Sequence, residues 1–274
     1  MEKVFGEYRS TRGTASPVLD DDGPPVFRVL GSVEILGQER PFIPRARKVH
    51  QLLALFLLRA GRVVHTDMLI NELWPERLPR SARSTAQTYV YQLRRALETS
   101  GLPGSGDELL VTKAPGYILR IPEQRIDVYR FRALAARGRA AMDDRRHEDA
   151  ARLFREALDL WSEQPVADVN CGPLLTAHVL DLNEQRRNVR QLRIQAEIEA
   201  GMHHEVIGEL RSLAADNPLD EGLHGQLMRV LGRSGRRGDA LDAYQNIRSA
   251  LVEQLGLEPN AELRRLHQEL LTAD

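Results

Sequence analysis

The stretch STAQTYVYQLRRAL, residues 84–97, decides the fold. Ala86, Val90, Leu93 and Leu97 recur at spacings of 4, 3 and 4. That puts them on one narrow face of a helix predicted from near Ser81 or Ser84 to about Glu98. The opposite face carries Ser84, Thr88, Tyr91, Gln92 and Arg95, with Thr85 and Arg94 on its flanks, and no acidic residue intervenes before Glu98. A helix that is apolar on one side and cationic and hydrogen-bonding on the other fits the major groove of DNA. There Arg, Gln, Ser and Thr read base edges or hold phosphates. Arg80 and Arg83 precede the helix, where its free main-chain N–H groups also favour a phosphate. The same face also fits an ordinary solvated helix, and the flanking elements narrow the choice.

Upstream, Val49, Leu52, Leu53, Phe56 and Leu57 stand at helical spacing within residues 46–60, closed by Gly61. After a short Val63-Val64 run, Thr66-Asp67 can cap a second helix through Leu69, Ile70 and Leu73, stopped at Trp74-Pro75. Earlier still, VFRVLG, SVEILG and PFIP, punctuated by Gly31 and Gly37, suit three short antiparallel strands. Downstream of the loop GLPGSG, the string LLVTKAPGYILRI reads as a hairpin with Ala114-Pro115-Gly116 in or near its turn. Strands, three helices and a hairpin, in that order, are the parts of a winged helix-turn-helix of response-regulator type, with Lys113 on the wing. Arg47 and Lys48, beside Arg45, form a basic cluster at the first helix that suits either a phosphate or a plain exposed turn. Tyr89 and Tyr117 read as packing residues.

Charge follows the same division. Residues 25–121 hold fourteen basic and eight acidic side chains, a net +6, whereas residues 122–274 carry −5 and residues 1–24 carry −2. A polyanion partner is therefore expected for the first part only. Residues 1–24 read as a mobile tail, 25–121 as the winged domain and 122–274 as a second, helical domain. With 42% hydrophobic and 28% charged residues the chain is globular in composition. Its longest apolar run, Leu52 to Leu58, is far short of the roughly 20 residues that span a bilayer. The opening MEKVFGEYRSTRGTASP lacks the apolar centre of a secretory signal, and the single Cys171 excludes an internal disulfide framework. The expected location is the cytoplasm, in association with the nucleoid and without a membrane partner.

Beyond Pro122 the pattern is all helix. Ala150, Phe154 and Ala157 share one face, and the same offsets recur at Val206, Leu210 and Leu213 and at Ala240, Tyr244 and Ile247. The last two sets lie 34 residues apart, the period of a tetratricopeptide helix pair. The first set lies 56 residues before the second, so the stretch 162–182 interrupts the repeat, either as a groove-shaping insertion or as a long connection. Three helical hairpins and a final helix near 260–272 are predicted, a small solenoid. The Arg cluster GRSGRRGDA, 232–240, suits either a polyanion contact or a solvated turn.

The strings LLALFLLRAGRVVHTDMLINELWPE, STAQTYVYQLRRAL and GYIL resemble the DNA-binding domain of the Streptomyces antibiotic regulatory proteins. IDVYRFRAL, AARLFREALDLW, LAADNPLDEGLHGQLMRVLGRSGRRGDALDAYQNIRSAL and LGLEPNAELRRLHQELL resemble that family's bacterial transcriptional activation domain. The likeness covers about residues 26–272. It implies a transcription activator of secondary-metabolite genes that binds direct repeats near the promoter −35 region as two protomers side by side and recruits RNA polymerase holoenzyme. Carried onto this chain, it makes the helix at 84–97 the recognition helix, with Thr88, Gln92, Arg94 and Arg95 in or beside the groove and Lys113 in the wing. Tyr89 and Tyr91 both flank Val90, where the resemblance leads one to expect at least one smaller residue, so a groove-facing Tyr91 implies a base preference different from that of relatives. A helical interaction scaffold with an inactive winged domain, or a repressor on the same DNA site, remains open at this point.

Enzyme chemistry finds no support in the sequence. No G-x-x-x-x-G-K-[ST] string occurs, the only lysines being Lys3, Lys48 and Lys113. Neither H-E-x-x-H nor G-x-S-x-G is present, and His203-His204 project to different faces of a helix. No metal, cofactor or catalytic residue is expected.

Overall fold

The computed structural model describes residues 26–36 and 41–272. The predicted tail at 1–24 and the turn at Gly37 lie outside the described residues. Strands β1 (Phe27–Arg28), β2 (Glu34–Leu36) and β3 (Pro41–Phe42) form an antiparallel sheet in which Phe27 faces Ile35 and Ile35 faces Phe42. Phe27 and Ile35 are fully buried.

Helix α1 (Arg47–Leu58) is buried from Val49 to Leu58, not along one stripe. Its run LLALFLL is apolar on every side, the pattern of a central helix, so the predicted face is only part of what it buries. Strand β4 (Val64–His65) leads into α2 (Thr66–Leu73), then α3 (Ala82–Thr99) and the single turn α4 (Gly106–Leu109). That turn is fixed by a capping box between Ser105 and Glu108. Strands β5 (Leu110–Lys113) and β6 (Gly116–Leu119) form the wing hairpin, and β4 adds to it in the order β4-β6-β5.

The remainder is helical: α5 (Asp127–Asp143), α6 (His147–Leu158), α7 (Pro173–Glu199), α8 (His203–Asp216), α9 (Glu221–Arg233), α10 (Arg237–Leu255) and α11 (Ala261–Thr272). These are the expected three hairpins and closing helix. Two compact units result: the described residues up to Arg130 with Ser162–Leu180, and Phe131–Trp161 with Asp181 onward. In the second unit α5 and α6 approach so closely at Gly138 that a Cβ there would fall 2.5 Å from the Phe154 ring. Val206, Leu210, Met228, Val230, Ala240 and Ile247 form its other main core. Arg155 of α6 donates to Glu197 of α7 at 2.7 Å and to Glu205 of α8 at 3.1 Å.

The stretch after Trp161 departs from both sequence expectations, because it is an ordered strap on the first unit. The N–H groups of Ser162, Val166 and Ala167 donate to the carbonyls of Leu30, Val29 and Gly31 at 3.0, 2.9 and 3.1 Å. Asp168 returns the favour, accepting from the Val33 N–H at 2.9 Å. Val166 holds a left-handed φ of 50°, rare for a β-branched residue, where its N–H meets Val29.

Candidate nucleic-acid interface

Ala82, Ala86, Val90, Leu93 and Leu97 of α3 are buried, which turns the polar face outward. Arg83, Ser84, Thr88, Tyr91, Gln92 and Arg95 are exposed, with Thr85 half-buried beside them. Gln87, three residues after Ser84 and four before Tyr91, shares this face, and the same helical spacing would have revealed it. The short hydroxyls are tied locally: Ser84 donates to the Ser81 carbonyl at 3.0 Å, Thr88 to the Ser84 carbonyl at 3.1 Å, and the hydroxyls of Thr85 and Ser81 lie 3.3 Å apart. Tyr91 is 62% exposed, an unusual degree for an aromatic, and it projects from this surface. Tyr89 instead stacks on Trp74 with ring centroids 6.1 Å apart, and Tyr117 is buried, so both are packing residues.

The cations differ in how far they are committed. Arg83 meets Asp67 of α2 at 3.3 Å and Arg95 meets Glu98 at 2.8 Å. Both pairs are open to water and worth less than about 1 kcal/mol, so a phosphate can replace either carboxylate. Lys113 stands exposed at the end of β5, and Arg47 is exposed at the start of α1. Lys48 is spent on the fold, donating to the Leu73 carbonyl at 2.6 Å and to Gln51 at 3.2 Å, and so answers the C-terminal end of α2. Arg94 is likewise engaged within the protein, between α3 and the wing.

Two buried carboxylates hold this unit together, and sequence reading missed both. Glu72 of α2 is fully buried and accepts from the N–H groups of Gly172, Leu174 and Leu175 at 2.6, 2.8 and 3.3 Å, and from the Gln51 amide at 3.3 Å. It therefore caps the N-terminus of α7, where main-chain donors are free and the helix dipole favours an anion. Asp127 accepts from the N–H groups of Val29, at 3.0 and 2.9 Å, and Leu30, at 3.0 Å. Burial pushes its carboxyl up to about 6, against the lowering effect of those hydrogen bonds. In the second unit, Arg233 pairs with Glu199 and Arg236 with Asp239, so these two members of the cluster at 232–240 lie in internal ion pairs.

Among the described residues no three His, Cys, Asp or Glu side chains are grouped to hold a metal ion, and no helix is long and apolar enough to cross a membrane.

Comparison with known proteins bears directly on this geometry. The family model for the C-terminal domain of transcriptional regulatory proteins matches residues 39–119, and that for the bacterial transcriptional activator domain matches residues 126–271. The regulatory protein DnrI of Streptomyces peucetius is 38% identical over 234 residues, 84% of this chain and 86% of DnrI. The chain belongs to the Streptomyces antibiotic regulatory protein family. The regulatory protein AfsR of Streptomyces coelicolor is 34% identical over 256 residues, 93% of this chain but 25% of AfsR. A structure of Mycobacterium tuberculosis EmbR in complex with a low-affinity phosphopeptide superposes with a TM-score of 0.83 at 31% identity. That likeness covers 89% of this chain and 64% of the EmbR chain. As a family member the chain is a transcriptional regulator, mainly α, with a winged helix-turn-helix followed by a helical activator domain.

Proposed function

We propose that this regulator is a sequence-specific DNA-binding activator that reads direct repeats near the promoter −35 region and recruits RNA polymerase holoenzyme to secondary-metabolite genes. The observation that carries the reading is the outward face of α3, where Ser84, Gln87, Thr88, Tyr91, Gln92 and Arg95 are exposed in a unit whose net charge is positive. In this reading α3 enters the major groove, Gln92 and Arg95 meet base edges, and Arg83 holds phosphate at the start of the helix. Lys113 of the wing meets the neighbouring backbone, and Arg47 adds a weaker phosphate contact at α1. Direct repeats follow if two protomers stack head to tail, side by side and in register with the duplex turn. The helical domain then presents a surface to polymerase, and the protein works in the cytoplasm on the nucleoid.

Nuclease footprinting on genomic fragments, with and without RNA polymerase, tests this. Protection of paired direct repeats beside −35, extended when polymerase joins, is the expected result. No protection at low salt would remove DNA binding and leave the helical domain as an interaction scaffold. Protection without transcription gain from purified polymerase would make the protein a repressor on the same site.

A further inference from the structure

Arg94 and Arg95 are neighbours in sequence, yet their side chains are 19% and 63% exposed. The Arg94 guanidinium is divided among three acceptors on the segment that leads into the wing. Its Nε donates to the Leu110 carbonyl at 2.9 Å, Nη2 donates to Thr112 Oγ1 at 2.8 Å, and Nη1 lies 3.0 Å from Asp107 Oδ1. The same group sits 6.0 Å from the ring centroid of Tyr117 on β6. Behind it the chain is docked against the Arg94 backbone, since a Cβ on Gly106 would fall 2.2 Å from the Arg94 carbonyl oxygen. Turning this side chain to a base edge would break three charge-assisted contacts in a fixed fork.

The other strands of the wing are held elsewhere. Strand β6 pairs with β4, and the Thr66 hydroxyl and N–H both donate to Pro115 in the turn. Strand β5 is the outer strand, paired with β6 from Leu110 to Lys113, and Arg94 links it by two hydrogen bonds to α3 beside Lys113.

We propose that Arg94 is a positioning residue that sets the wing, and with it Lys113, at a fixed distance from the recognition helix. It governs the spacing of two DNA contacts without touching a base. The proposal rests on the DNA-reading function above.

The test is a mutant cycle on a duplex selected from a random pool by the wild-type full-length chain, alongside a scrambled duplex of the same composition. Affinities are measured for the wild type, Arg94→Ala, Lys113→Ala, the double variant and Thr112→Val. Lys113→Ala should weaken both duplexes about 5-fold in the wild-type background but less than about 2-fold beside Arg94→Ala, because the contact is already misplaced. Arg94→Ala should weaken both duplexes by one factor and leave the preference between them unchanged. Thr112→Val, nearly isosteric and away from the helix face, should act in the same direction with a smaller effect.

Additive losses, a Lys113→Ala without effect, or an Arg94→Ala loss confined to the selected duplex would each overturn the positioning role. A pool that yields no enriched sequence would overturn the DNA-reading function itself and the positioning role with it.

Discussion

Polar side chains in the first unit meet two opposite fates. On the outward face of α3, Arg83 and Arg95 hold carboxylates that are themselves open to water, and Gln92 and Tyr91 point outward. Inside the unit, Glu72 and Asp127 are 0% and 2% exposed and answer main-chain N–H groups about 100 residues away in sequence. The first set gives the fold little and stays exchangeable. The second holds together segments that are far apart in sequence, and no outside ligand can compete for it. A charge in this protein is therefore structural or available according to whether water can replace its partner.

The sharpest way to break that comparison is to empty the buried site. Glu72→Ala should cost about 3–5 kcal/mol in urea unfolding, because three main-chain donors lose their acceptor in a dry environment, while the Gln51 amide keeps the Glu72 carbonyl. Glu72→Gln keeps one acceptor oxygen and should cost less. Hydrogen exchange at Gly172, Leu174 and Leu175 should rise in both variants. An alanine variant as stable as the wild type would show that the strap is held by its other contacts.

Asp127 gives the next largest effect, with a sign opposite to that of an ordinary ion-paired carboxylate. Its folded carboxyl holds a proton up to about pH 6, whereas the unfolded value is 3.8, so the folded state binds more protons between the two. Its stabilising contribution is complete below 3.8 and is lost as pH rises through 6, on the order of 2–3 kcal/mol. Unfolding measured at pH 5 and 7.5 should show the wild type gaining on Asp127→Asn as the pH falls. Parallel curves for the two proteins would mean that the hydrogen bonds from Val29 and Leu30 outweigh the cost of burial.

These two anchors explain what sequence reading could and could not reach. Elements whose signals are local were legible: the 4-3-4 spacing of α3, the Pro after α2, the turn of the wing, and the repeated offsets at Ala150, Val206 and Ala240. Glu72 sits in TDMLINEL, where a carboxylate two residues before Trp74 looks like a surface residue. Only the arrival of Gly172 makes it a cap. Arg94 reads in sequence as a flank of the polar face and a candidate groove contact, and its engagement depends on Asp107, Leu110 and Thr112 folding back across α3. The stretch 162–182 reads in sequence as either a groove-shaping insertion or a long connection, because most of its own anchoring groups are main-chain N–H groups, which leave no mark in side-chain patterning.

On the exposed face the expected effects move from stability to binding. Arg95→Ala breaks only a surface pair, so unfolding should shift by less than about 0.5 kcal/mol. Binding to a selected duplex should weaken by about 1–2 kcal/mol with relaxed preference at one base position if Arg95 reads a base. Equal weakening on every sequence would move Arg95 to the phosphate backbone.

Arg83 makes the smallest change and the cleanest contrast with Glu72. Its partner Asp67 is 86% exposed, so Arg83→Ala should leave folding stability within about 0.5 kcal/mol of the wild type. If the guanidinium exchanges Asp67 for a phosphate on DNA, the variant loses one released counterion. The slope of log affinity against log salt should then fall by about one, equally on selected and scrambled duplexes. Asp67→Asn should act in the reverse direction, since it frees the same guanidinium and removes a carboxylate that repels the backbone. A salt slope unchanged in Arg83→Ala would take the start of α3 out of the interface, and the polar face beyond Ser84 would then have to supply the contact alone.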